Sequence, residues 1–227
     1  MWYNQSVKDQ KLKEIYRRLT DEYGGFTIWM AKEGLQLLCG LVLSMDGHPI
    51  ESQILAERFR KESWLNPALW RQWDLQSKHQ IVSEVLTPEA WARLCRVGKW
   101  LQGYDDSLTL ARVAGRLCLE EQLRSLGLDQ STVNRILLHV FEIPVFISSD
   151  DETELFRRIG LLDDVCEKAD IEKLYVKSLP KTVKMCSEYE SLAYQHRHKI
   201  CTEEPFCLSC CLADLCGYVQ TLDRPCQ

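Results

Sequence analysis

The sequence predicts an all-α protein that ends in a cysteine-rich loop. Apolar residues recur at helical spacing in one segment after another. No segment of any length alternates apolar and polar residues as a half-buried strand does, and only Val145-Phe146-Ile147 fits either structure. Eleven cysteines are present in 227 residues, and six of them lie between Cys201 and Cys226. A helical protein closed by a thiol-rich loop is therefore expected.

Helices account for the N-terminal part of the chain. Residues 7–20 are predicted as an amphipathic helix with a solvated basic face, and Gly24-Gly25 ends it. Residues 31–45 are almost entirely apolar and too long for one ordinary strand, which indicates a buried helix. A turn follows, in which Asp46 can cap the next helix at 50–62.

Capping residues mark the helices of the middle part. In the segment 64–80, Pro67 stands at a favourable first helical position, and we expect the tryptophans of this segment to pack in the core. Thr87-Pro88 begins a further helix, because threonine is a good N-cap and proline suits the first turn. Ser107 begins a helix that is predicted to continue through Leu123.

Composition and charge limit the class of protein. Apolar residues make up 45% and charged residues 27%, as in ordinary globular proteins. No apolar run reaches the ~18 residues of a membrane span, and the start of the chain lacks a secretory signal. We therefore expect a cytoplasmic or nuclear protein without a membrane partner. The net charge of −5 counts mildly against nucleic acid, because phosphate binding uses clustered Lys and Arg.

The strongest signal is a set of four cysteines near the C-terminus. They are separated by gaps of five, two and five residues, so one short loop can direct four thiolates to a single inorganic centre. In an intracellular protein, where thiols stay reduced, such a high cysteine content indicates metal binding rather than disulfides. The predicted ligands are Cys201, Cys207, Cys210 and Cys216.

The spacing favours an iron–sulfur cluster over zinc. Structural zinc usually takes two close cysteine pairs, and here only Cys207 and Cys210 form one. Wider flanking gaps suit a loop that wraps a [4Fe–4S] cluster. Zinc, and free thiols or disulfides, stay as alternatives. Cys211 can replace Cys210, but the two-residue gap turns the Cys210 sulfur back toward that of Cys207.

A glycine turn between two helices forms a second candidate site. The segment 125–137 is predicted as a helix end, a turn at Gly127 and a second helix whose first turn runs from Asp129 to Thr132. The free N–H groups of a helix start, entered through a tight turn, can bind phosphate. The predicted phosphate contacts are Gly127, Gln130, Ser131 and Thr132.

Together these features resemble the endonuclease III branch of the helix-hairpin-helix DNA glycosylase superfamily, over roughly residues 8–220. The segment 37–44 is similar to the buried helix of that family, and Ser125 to Thr132 to its hairpin. The segment 207–218 closely matches its cluster loop. The resemblance implies one helical-barrel lobe at 24–138, and a second lobe of 1–23 with 139–227 that carries the cluster loop at 201–216. It also implies a DNA-binding monomer that flips a base from the duplex and cuts its N-glycosidic bond.

Departures from the family pattern restrict the implied chemistry. The lyase members have a nucleophilic lysine where this chain has Ser131, so a monofunctional enzyme without imine chemistry is implied. The glutamate of the adenine-mismatch enzyme falls near Gly40, which speaks against adenine excision. Asp129 replaces the second hairpin glycine and either opposes phosphate or caps the helix.

The catalytic carboxylate implied by the resemblance falls in an acidic segment. Spacing from Pro144 leads to Ser149 and spacing from Phe156 leads to Glu152, and between them Asp150 and Asp151 are the preferred candidates. Alternatively, the acids only favour the start of a helix.

Three functions therefore stay open: monofunctional base excision, a non-catalytic binding or assembly module with the same fold and cluster, and a zinc-stabilised scaffold. Residues 194–199 can contact phosphate or stay solvated, and His48 and His139 are expected to be structural.

Overall fold

A computed structural model describes residues 2–46, 48–72, 86–162 and 168–222. These ranges contain helices and turns but no β-strand, so the predicted all-α class is confirmed. In the same ranges no helix combines the length and apolar character that crossing a bilayer requires. The α-helices are α1 Trp2–Tyr23, α2 Gly34–Leu43, α3 Pro49–Lys61, α4 Pro67–Gln72, α5 Pro88–Gln102, α6 Leu108–Val113, α7 Arg116–Ser125, α8 Gln130–Arg135, α9 Asp150–Ile159, α10 Lys168–Ser178, α11 Val183–Lys199 and α12 Gly217–Leu222.

The chain divides into two compact units. Unit 1 comprises Met1–Ile28 and Phe146–Gln227, and unit 2 comprises Trp29–Val145. The sequence prediction placed the two changes of unit near residues 23 and 138. Unit 1 contains α1 and α9 to α12, and unit 2 contains α2 to α8.

Unit 2 is built around the apolar helix α2. This helix begins at Gly34 rather than at residue 31, and its side chains from Leu38 to Leu43 are buried. It packs closely on α3, since a Cβ at Gly40 would lie 3.5 Å from the Cβ of Ala56. The prediction for 64–80 lies partly outside the described residues, which stop at 72; within them Pro67 begins α4 as expected.

Polar side chains cap the helices of unit 2. Thr87 accepts a hydrogen bond from the Ala90 amide at 3.1 Å, and Ser107 accepts one from Leu110 at 3.3 Å, as the sequence indicated. The prediction for α3 was wrong, because its cap is His48, whose Nδ1 accepts from the Ile50 amide at 3.3 Å. The Asp46 carboxylate instead pairs with Arg93, a buried side chain of α5.

The single helix predicted from Ser107 through Leu123 is two helices, α6 and α7. Gly115 stands between them with a φ of +80°, a conformation that residues with a side chain rarely adopt. After α8 the backbone continues as a π-helical turn at Ile136–Val140. Sequence periodicity did not indicate this turn.

Unit 1 has an aromatic core beneath α1, α9, α10 and α11. The rings of Phe146 and Tyr175 stack with centroids 4.6 Å apart, and Tyr189 meets Tyr175 edge-on at 4.7 Å. The ambiguous segment from Val145 to Ile147 is buried but forms no strand. The basic face of α1 is only partly solvated, because Lys11 Nζ donates to the Ile159 carbonyl at 2.7 Å.

Candidate functional site

The four cysteines predicted as ligands line one small cavity in unit 1. Its wall also includes side chains of α9, the end of α11 and the start of α12. Cys201 and Cys216 are buried and Cys207 and Cys210 are half-buried. Cys211 is outside the set of residues that line the cavity, although it neighbours Cys210.

Short turns bring these cysteines together. The Cys201 amide donates to the His196 carbonyl at 2.9 Å as α11 ends. A 3₁₀ turn over Cys207–Ser209 lets the Cys210 amide donate to the Cys207 carbonyl at 3.2 Å. A second such turn precedes Cys216, whose Sγ donates to the Arg158 carbonyl at 3.4 Å. The first of these turns spans the two-residue gap between Cys207 and Cys210.

Two arginines fasten the first part of the loop. Arg158 Nη1 donates to the Thr202 carbonyl at 2.6 Å and lies 3.7 Å from Cys201 Sγ. Arg197 donates to the Cys201 carbonyl. Both guanidinium groups are mostly buried. Their positive charges stand beside the thiols, where they can offset the negative charge of thiolates.

His196 contacts Cys210 from inside the unit. Its Nε2 lies 3.6 Å from Cys210 Sγ, and its Nδ1 lies 3.2 Å from the Tyr23 hydroxyl. The side chain is 1% exposed. Burial, with a smaller effect of Arg197, lowers the pKa of His196 to about 4. Of the residues 194–199 considered for phosphate contact, His196 is therefore neutral and inaccessible.

A third arginine ties α1 to the second half of the loop. Arg18 Nη2 donates to Asp214 Oδ2 at 2.9 Å, and Arg18 Nη1 donates to the Cys211 carbonyl at 3.1 Å. The contact fixes the backbone of Cys211.

The residues around the cavity suit an iron–sulfur cluster. Burial raises the pKa of Cys207, and Cys216 and Cys201 raise it further because they are close enough to repel its thiolate. Bound iron would relieve this repulsion by neutralising the charge. In the described part of the chain no three His, Cys, Asp or Glu side chains converge on one position for a single metal ion. The thiolates of a [4Fe–4S] cluster bind separate irons, so the relevant test is whether four thiols share one space. They do so here.

In unit 2 the glycine turn joins α7 to α8. Gly127 has a φ of +81°, which allows the reversal without strain. Asp129 is the N-cap of α8, since its Oδ1 accepts from the Thr132 amide at 2.7 Å. One of the free N–H groups expected to bind phosphate is thereby already occupied by a carboxylate.

The predicted phosphate contacts have different surroundings. Gln130 is exposed and donates to Glu120 at 3.1 Å and to Asn134 at 3.0 Å. Ser131 is half-buried, and its Oγ accepts from Arg135 Nη1 at 2.9 Å. Thr132 is buried and its amide already donates to Asp129, so neither its side chain nor its N–H is available to a phosphate.

Arg96 supports the same turn, and sequence reasoning did not find it. Its Nε donates to the Leu126 carbonyl at 2.7 Å, and its guanidinium would lie 3.3 Å from a Cβ at Gly127. Arg96 belongs to α5, about thirty residues earlier in the chain, so no local pattern reveals the contact. It places positive charge next to the turn.

Ser149 and Glu152, the two positions to which motif spacing leads in the acidic segment, both stabilise the start of a helix. Ser149 is the N-cap of α9, and its Oγ accepts from the Glu152 amide at 3.1 Å. The Glu152 carboxylate completes this capping box by accepting from the Ser149 amide at 3.4 Å, and it also accepts from the Tyr175 hydroxyl at 2.5 Å. Glu152 is 2% exposed. Its carboxylate is thus committed to the interior of unit 1.

Asp150 and Asp151 occupy the first turn of α9. Asp150 is exposed, and Asp151 is half-buried with its Oδ1 3.5 Å from Arg197 Nε. Arg197 also binds the Cys201 carbonyl, so Asp151 is linked to the cysteine loop. The two carboxylates therefore differ in exposure, and Asp151 lies next to the guanidinium of Arg197.

Comparison with solved structures identifies the fold. A complex of endonuclease III with DNA matches with a TM-score of 0.79 at 18% identity, over 96% of this chain and 99% of that one. A thermostable thymine-DNA glycosylase matches with a TM-score of 0.70 at 13% identity, over 96% and 98%. This chain has the fold of endonuclease III. The predicted all-α fold of the endonuclease III type is confirmed.

A curated relative extends the comparison to sequence. "Putative DNA repair glycosylase MJ1434" of Methanocaldococcus jannaschii is 24% identical over 217 residues, which cover 92% of this chain and 97% of the relative. No protein-family model matches the chain. The turn at Gly127, which the sequence analysis compared with the hairpin of that family, joins α7 to α8, and Ser131 stands in the first turn of α8.

Proposed function

We propose that this protein is a monofunctional DNA base-excision glycosylase, which hydrolyses the N-glycosidic bond of a flipped damaged, modified or mismatched base. The observation that carries the proposal is the match to endonuclease III and to a thymine-DNA glycosylase over 96% of the chain. The description of the curated relative as a DNA repair glycosylase supports it. Flipping gives such enzymes access to a bond that the base stack covers.

Ser131 supports hydrolysis rather than strand cleavage. Its hydroxyl is hydrogen-bonded to Arg135, and neither group is an amine that can form an imine with the sugar. Water is then the nucleophile. It needs a carboxylate nearby to stabilise the cationic sugar of the transition state.

Asp150 is the carboxylate we assign to this role. It is exposed at the start of α9, whereas Glu152 is buried in the capping box and Asp151 is held by Arg197. The helix start and the capping box fix the backbone that carries Asp150. Asp151 then acts on the cysteine loop through Arg197.

A [4Fe–4S] cluster held by Cys201, Cys207, Cys210 and Cys216 completes the proposal. When bound, it cross-links the C-terminal loop, and four thiolate ligands leave no iron open for substrate chemistry. Its role is structural. The arginines and His196 that surround the thiols hold the loop in the shape that the cluster requires.

The test is a panel of duplexes, each with one modified or mismatched base, incubated with the purified protein. Base excision without lyase activity leaves an abasic site, so strand breaks should appear only after hot alkali. Borohydride should trap no covalent adduct. Glu142→Gln, which removes an exposed carboxylate in unit 2, is the matched control for Asp150→Asn. Breaks without alkali would contradict the monofunctional mechanism.

A second function is favoured by one observation. Both positions that motif spacing assigns to the catalytic carboxylate, Ser149 and Glu152, are used in the capping box. A non-catalytic protein with the same fold, which serves as a nucleic-acid-binding or assembly module, could use both positions for the capping box in this way. In the same panel such a protein binds duplexes but excises no base, and Asp150→Asn then changes nothing.

A further inference from the structure

The outer side of the cysteine loop carries a groove lined by exposed apolar residues. The loop at 205–209 forms one wall and α12 forms the other. Leu208 is fully exposed, Phe206 is 62% exposed and Leu222 is 58% exposed, and Tyr218 also borders the groove. We call these four residues the loop face. Clustered apolar exposure of this kind marks interaction sites in soluble domains.

The loop face is held in shape from within. Cys207 lies between Phe206 and Leu208 and lines both the inner cavity and the outer groove. Tyr218 packs on the inner side against Arg158, whose guanidinium carbon is 5.8 Å from the ring centroid. The apolar side chains are therefore presented by a fixed backbone.

The charge around the loop face is negative. Residues 201–222 contain Glu203, Glu204 and Asp214 and no Lys or Arg. Asp214 is paired with Arg18, while Glu203 and Glu204 are exposed beside Phe206. The neighbouring Arg158 is mostly buried and donates to Glu154 and to backbone carbonyls. Within the described residues 201–222, the exposed charge apart from Asp214 therefore comes from two carboxylates.

This charge selects among possible occupants. Two carboxylates repel the phosphates of DNA and of anionic lipids, so neither is a good ligand for the groove. A symmetric dimer through this face would bring the glutamates of both copies together, which is also unfavourable. A protein segment with apolar side chains and adjacent Lys or Arg complements both properties of the surface.

We propose that the loop face docks a basic, apolar segment of a partner protein. Apolar side chains of the partner enter the groove between Phe206 and Leu222, and its basic residues pair with Glu203 and Glu204. The interaction goes beyond base excision and does not require it. It gives the cysteine loop a surface for assembly on the outer side of the loop.

The probe for this docking is a phage-displayed random peptide library, selected on the full chain. Three paired variants are compared: Phe206→Ser with Leu208→Ser, Glu203→Gln with Glu204→Gln, and Val113→Ser with Leu117→Ser. The third pair is the control, because both residues are exposed and apolar but belong to unit 2. Iron content and thermal unfolding verify that each variant is folded.

The expected result is a set of selected peptides that combine Leu, Ile or Phe with Lys or Arg. They should bind the two loop variants at least tenfold more weakly than the unchanged chain, and the control within about twofold. Peptides without basic residues, equal binding to all variants, or no selected peptide would overturn the proposal. So would competition by a short duplex, or a dimer that the Leu208 variant abolishes.

Discussion

His196 and Cys210 are in contact, with 3.6 Å between Nε2 and Sγ. This contact is the second of two that connect Tyr23, His196 and Cys210. The Tyr23 hydroxyl lies 3.2 Å from His196 Nδ1. Since burial keeps the imidazole neutral, one ring nitrogen donates and the other accepts. If Tyr23 donates to Nδ1, then Nε2–H points at the sulfur.

His196→Leu should therefore weaken the hold on Cys210. Loss of the N–H donor removes the His196 contact and leaves the hydrogen bond from the Leu212 amide, which donates to Cys210 Sγ at 3.4 Å. We expect the brown colour to bleach several times faster in air, with a smaller effect for Tyr23→Phe. His198→Asn is the control, because His198 is exposed on the same helix. Equal bleaching of His196→Leu and the control would show that the contact has no role.

Substitution of two adjacent cysteines can show which of them is a cluster ligand. Cys210 lines the cavity and Cys211 does not, so Cys210→Ser should lose iron and most soluble protein, while Cys211→Ser should keep both. Iron and sulfide analysis of the two purified variants makes the comparison. Loss of the cluster in Cys211→Ser alone would transfer the ligand assignment to Cys211.

The two aspartates of α9 should give different phenotypes. Asp150→Asn should lower the excision rate by about 10²-fold or more, as expected when a group that stabilises transition-state charge is removed. Its stability should change by less than about 1 kcal/mol, because Asp150 is exposed. Asp151→Asn breaks the pair with Arg197, so it should lower cluster retention more than the rate. Single-turnover kinetics and iron content separate the two effects.

Ser131→Lys tests the missing amine. The lysine would stand one helical turn before Arg135, whose positive charge favours a neutral amine. We expect borohydride to trap a covalent adduct with an abasic duplex in this variant but not in the unchanged chain. Ser131→Gln, similar in size and without an amine, should trap none. An adduct in the unchanged chain would reveal a different amine nucleophile.

Tyr175→Phe should destabilise unit 1. It removes the hydroxyl that donates to the buried Glu152 carboxylate and leaves that oxygen without this partner. Loss of a hydrogen bond to a buried carboxylate costs about 1.5–3 kcal/mol, seen as a lower urea midpoint. Tyr104→Phe is the control, because Tyr104 is only half-buried where it donates to Gln122 at 2.8 Å. Equal losses would mean that Glu152 does not depend on Tyr175.

The sequence predicted features that depend on local chemistry. Thr87, Ser107 and Asp129 cap helices because their side chains reach the backbone three residues ahead, a relationship visible in the sequence. The cysteine spacing likewise anticipated four thiols around one space. Gly115 was visible too, but helical periodicity on both sides concealed the break that its positive φ makes.

Features that depend on distant residues were not predictable. Arg96 reaches the turn at Gly127 from α5, and Arg197 joins Asp151 to the cysteine loop. Both contacts form only when the chain folds. Glu152 stood in the sequence as one acid among four, and its burial follows from Tyr175, on another helix. The sequence therefore placed the acidic segment but did not separate its members.

Anaerobic purification with iron, sulfide and zinc analysis and an absorption spectrum of the same sample tests the cysteine site most directly. We expect about four irons and four sulfides per chain and a broad absorption near about 400 nm, as for a cluster held by four thiolates. Stoichiometric zinc in a colourless sample would contradict the cluster. It would leave the fold in place but remove the iron–sulfur centre from the proposed glycosylase.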